Sequence, residues 1–192
     1  MSFIKITLPI LFVIFLSPAW ASACDSKDTT DIINIFSHSI ELNDQFKQSV
    51  NTGDEVRYKT LRKQVEQYDE QMAMPCVRRV QTILKKHSER VLIHKLMEFT
   101  ISHENSADET TSTAMATVFA MHHKEFKKEW ENFTLEQKKI LLSSIETGWF
   151  SVEKSLSIVQ RRNLEGNLRL LRKSVSSSPA IPQAGEEAVK LK

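Results

Sequence analysis

Apolar residues recur every three or four positions along most of this chain, and that spacing sets what it can become. Tyr58, Leu61, Val65, Tyr68 and Met72 step by three and four without a miss. A helix brings such positions onto one face, whereas a half-buried strand needs strict alternation. The same spacing links Ile32, Phe36, Ile40 and Asn43, and later Met115, Phe119, His122, Phe126, Trp130 and Phe133. Shorter stripes run through Leu135, Leu141, Leu142 and Ile145, and through Val152, Leu156 and Val159. Toward Ile101 the segment from Val91 is apolar nearly all round, as the most buried helix of a bundle is. No alternating run is long enough for a strand. With 4 Gly and 5 Pro in 192 residues, turns are too few for a β-sandwich or barrel. The expectation is an all-α fold, about six helices in an irregular bundle or a short array of helical pairs.

Local signals divide the stripes. Thr52 with Glu55, Ser106 with Glu109, and Thr134 with Gln137 have the spacing of a capping box. Asn132-Phe133-Thr134 is also a glycosylation triplet, but Thr134 reads better as a cap. Pro75 fits a first helical turn, and Gly148 fits a left-handed cap that ends a helix. The stripe at Val152 resumes out of phase at Leu164, Leu168, Leu171 and Val175, which places a kink beside Asn163 and Gly166.

The first 23 residues have a separate meaning. A short basic start, an apolar run over Ile6–Leu16 and Ala21-Ser22-Ala23 form the three-part layout of a cleaved signal peptide, bacterial in style. That leaves one helical domain over 24–173 and a Ser- and Pro-containing tail over 174–192, expected to be disordered. The chain is then periplasmic or secreted. Cys24, first after the cleavage point, pairs with Cys76 on this reading, as two cysteines in an oxidising compartment do. The alternative is a lipidated Cys24 on an inner-membrane-anchored lipoprotein facing the periplasm. A membrane enters the reading only in that case.

Charge runs in blocks: −5 over 24–56, +6 over 57–95, −5 over 96–136 and +5 over 137–192. Alternation of this kind suits complementary packing of neighbouring helices. A net charge of +2 leaves no footprint for nucleic acid. No phosphate-binding loop can be built from Gly53, Gly148, Gly166 and Gly185, and no nucleophile elbow occurs.

Two functional readings remain. The leading one is an exported bacterial envelope protein that binds a protein partner without catalysis, as an inhibitor, immunity or assembly protein would. Its candidate contacts are Phe126, Trp130, Trp149 and Phe150, because aromatic patches anchor interfaces. The alternative is a metal-binding protein that uses inter-helical histidines. His94 and Glu98 are one turn apart, and His122 lies beside His123 on another stripe, a set suited to a transition metal such as zinc or copper.

Overall fold

Each helix begins and ends where its own residues can satisfy the backbone groups a helix leaves unpaired. The structure, a computed structural model, describes residues 24–25, 27–104 and 109–176. The expected signal peptide, the Ser106 cap and residues 177–192 lie outside them. Helix α1 (Thr29–Thr52) starts at Asp28, whose carboxylate accepts from Asp31 N, and stops at Gly53 with φ +70°. That left-handed conformation is open to glycine at little cost. Helix α2 (Glu55–Tyr68) is capped by Asp54, which accepts from Arg57 N. Thr52 is therefore the last residue of α1 and not the cap of α2.

A π-helical turn over Asp69–Ala73 carries α2 into α3 (Met74–Leu84) with no break. Pro75 thus sits in the first turn of α3, as its sequence position suggested, while the π turn joins α3 to α2 in one rod. A proline lacks an N–H and crowds the carbonyl four residues back. The wider turn just before it relieves both problems. Helix α4 (Arg90–Ser102) follows, then α5 (Glu109–Trp130), α6 (Leu135–Glu153) and α7 (Ile158–Ser176). Thr134 and Gln137 form the expected capping box at the start of α6. No strand occurs among the described residues.

Three further expectations are corrected. Gly148 lies within α6, where it lets α5 approach. A Cβ there would fall 2.0 Å from the Ser112 carbonyl oxygen. The phase slip after Val152 has its source in the turn between α6 and α7, and α7 runs unbroken through Asn163 and Gly166. The irregular residue is instead His122 in α5, at φ −130° and ψ 39°. Finally, α7 extends through Ser176, past the expected end of the domain.

Although α5 touches more of its neighbours, helix α4 has the largest buried share of its residues, as its composition suggested. It packs against α1, α5 and α6 and buries Leu92, Ile93, Leu96, Met97 and Phe99. Phe36 stacks on Phe99 at 4.7 Å, and Phe119 meets Phe126 edge-on at 5.5 Å. Cys24 is bonded to Cys76, which ties the chain ahead of α1 to α3. No helix among the described residues is long and apolar enough to cross a membrane.

Candidate functional site

The π turn places Asp69 against α1 and the C-terminal end of α4, and a small polar cluster forms there. Ser39 in α1 donates to Asp69 Oδ1 at 2.5 Å. His103, just past α4, places Nε2 3.0 Å from Asp69 Oδ2 and 3.2 Å from Ser39 Oγ. Its Nδ1 is 2.9 Å from the Phe99 carbonyl oxygen, and its ring stacks on the Phe99 ring at 4.2 Å. Asn43 and Lys47, one and two turns beyond Ser39, donate to the Ser102 carbonyl at 2.5 Å and 2.8 Å. A cation and an amide thus meet the negative end of the α4 dipole. Beside the cluster, burial and the Asp69 charge push the Tyr68 phenol above its ordinary value.

Serine, histidine and aspartate meet here without triad geometry. A catalytic histidine takes the serine on one nitrogen and the acid on the other. In this cluster one nitrogen faces both residues, and the other is bonded to a carbonyl of its own helix. Ser39 is also only 1% exposed. The arrangement locks three elements together and forms the floor of a groove.

That groove holds about 590 Å³. Phe46, Val65 and Met74 give it apolar walls, and Lys47, Arg78, Glu66 and Glu70 give it charges of both signs. A neighbouring cleft of about 420 Å³ shares His103 and is lined by hydroxyls, including Thr100, Thr111, Ser143 and Ser144.

The sequence-derived candidates fall elsewhere. Phe126 and Trp130 are fully buried and Trp149 is nearly so, which makes them core residues. Phe150 is the one of the four at the surface, 72% exposed. His94 and Glu98 are within 3.4 Å of each other, but His94 Nδ1 faces the buried Glu129 at 2.9 Å, and Lys95 takes the other Glu98 oxygen. Glu129 also accepts from Arg90 and from Asn132. Burial pushes the Glu129 carboxyl up, yet Arg90 and His94 together outweigh that and hold it below its ordinary value. His122 is engaged separately, with Nε2 2.6 Å from the Leu84 carbonyl oxygen. The four do not come together, and no group of three His, Cys, Asp or Glu side chains suited to a metal ion occurs among the described residues.

Sequence reasoning missed Ser39, Asn43, Asp69 and His103. They come from three separate elements, so no local spacing joins them. The usable signal was a proline within a helical stripe, which marks a point where the backbone must deviate. No known family model matches the chain, and neither a curated protein nor a solved structure matches it.

Proposed function

We propose that the protein is an exported binding protein of the bacterial envelope that holds a segment of a protein partner in the groove over the π turn, without catalysis. The observation that carries this reading is the groove itself. It joins apolar walls to charges of both signs above a hydrogen-bonded floor. Peptide segments bind in such places through a few apolar anchors, with charged groups fixing their direction. Irregular π turns recur at functional sites. The Cys24–Cys76 bond supports an oxidising location. An inhibitor, immunity or assembly role fits a rigid helical surface of this kind.

Site-specific photocrosslinking in the producing cell tests this. A photoreactive residue at Glu66, in the groove, is expected to yield a discrete protein adduct, and one at Gln160 on α7 is expected not to yield it. Arg78→Glu should abolish the Glu66 adduct. Absence of any Glu66 adduct, or an adduct indifferent to Arg78→Glu, overturns the reading.

A further inference from the structure

The outermost helix carries a second surface, built from different elements than the groove. Helix α7 packs against α6 and α5, and it buries Leu164, Leu168 and Leu171 on one side. At 100° per residue the opposite side carries Val159, Arg162, Gly166, Arg169, Leu170 and Lys173. All six except the glycine are aliphatic or cationic, and no acid falls among them. Val159 is 68% exposed and Leu170 56%. The acid of this helix, Glu165, lies toward the flank. Flanking arginines turn inward: Arg172 donates to Glu146 at 2.7 Å and Arg161 to the Glu153 carbonyl at 3.0 Å. Ile158, the first residue of α7, is exposed as well, and Phe150 stands exposed on α6.

We propose that α7 lays this outward side on an anionic phospholipid surface, with Ile158 at the start of the helix entering the headgroup layer. A side that carries cations and no acid is drawn to an anionic leaflet, and the exposed aliphatics beside them add apolar contact. Arg162 and Arg169 meet lipid phosphates, and Val159 and Leu170 reach the acyl boundary. A second copy of the chain suits the surface poorly, because a two-fold pairing would set cations against cations. The contact is peripheral: the Cys24 sulfur is bonded to Cys76, and no described helix crosses a bilayer. The inference stands apart from the groove reading, since the groove is lined by residues of α1, α2, the π turn, α3 and the end of α4.

Vesicle co-sedimentation of the chain from Cys24 to Lys192 tests it, with pure phosphatidylcholine compared with a mixture containing phosphatidylglycerol. Binding is expected only to the mixture, and it should weaken as salt rises. Arg162→Glu with Arg169→Glu should reduce binding by at least tenfold, since each cation near such a surface counts for roughly fivefold. Ile158→Glu should reduce it severalfold. Val56→Glu, at an exposed residue of α2, should leave it unchanged. Circular dichroism confirms that each variant is folded. Equal binding to both vesicles, or binding indifferent to the α7 and Ile158 variants, overturns the proposal. So does a dimer in light scattering that Leu170→Glu dissolves, which would assign the surface to a second copy.

Discussion

Single residues decide the polar interior, and Glu129 shows how. Its carboxylate is buried and held by Arg90, His94 and Asn132. The lowered carboxyl value means that the folded state holds the anion more firmly than the unfolded chain does. The stability it contributes is therefore present above the ordinary value of 4.5 and is lost as pH falls through the lower folded value. Glu129→Gln should cost about 1–3 kcal/mol at pH 7. Urea unfolding at pH 7 and pH 3 checks this, and the gap between variant and parent should close at the lower pH. Little of this was legible in advance. Spacing along the chain shows His94 and Glu98 as neighbours, and they are. It does not show that a carboxylate from α5 arrives at the other ring nitrogen of His94. Phe126 and Trp130 were nominated as contacts because aromatics anchor interfaces, although the stripe they share with Met115 and Phe119 is a core pattern.

At the scale of elements the sequence was more transparent. The Thr134 cap, the buried α4 and the all-helical plan follow from local hydrogen bonding and apolar spacing, which tertiary context did not override. Gly148 is one exception, because a glycine that permits close approach and one that ends a helix look the same in a sequence. Gly148→Ala tests the assignment. The new Cβ would meet Ser112 carbonyl oxygen at 2.0 Å and Thr113 N at 2.8 Å, so α5 and α6 must part. Alanine favours a helix by about 1 kcal/mol over glycine, but overpacking of this kind costs more, typically about 1–3 kcal/mol and sometimes beyond. The expected net loss is about 1 kcal/mol, which lowers the thermal midpoint by roughly 2–4 °C. A midpoint that rises would return Gly148 to the role of an unstrained helix residue.

For the whole molecule, the Cys24–Cys76 bond is the longest covalent constraint, closing 52 residues that include all of α1, α2 and the π turn. A loop of that size contributes roughly 4 kcal/mol in the chain-entropy picture. The Cys24→Ser, Cys76→Ser double variant should lose about 2–4 kcal/mol in urea unfolding, and a reductant should shift the parent to the same midpoint. An unchanged midpoint would mean that the bridge does not constrain the unfolded chain. The π turn lies within that same loop and has a consequence for how the chain tolerates change. It adds residues to a rod whose two halves must both face the core, Leu61 on one side and Val77, Val80 and Leu84 on the other. Removing one residue between Asp69 and Ala73 would let this wide turn tighten to an α turn, whereas removing one from the α-helical stretch on either side would rotate everything beyond by about 100°. In the second case Cys76 would turn away from Cys24, and the downstream apolar side would turn outward. The rod is therefore freest to change its length at the π turn.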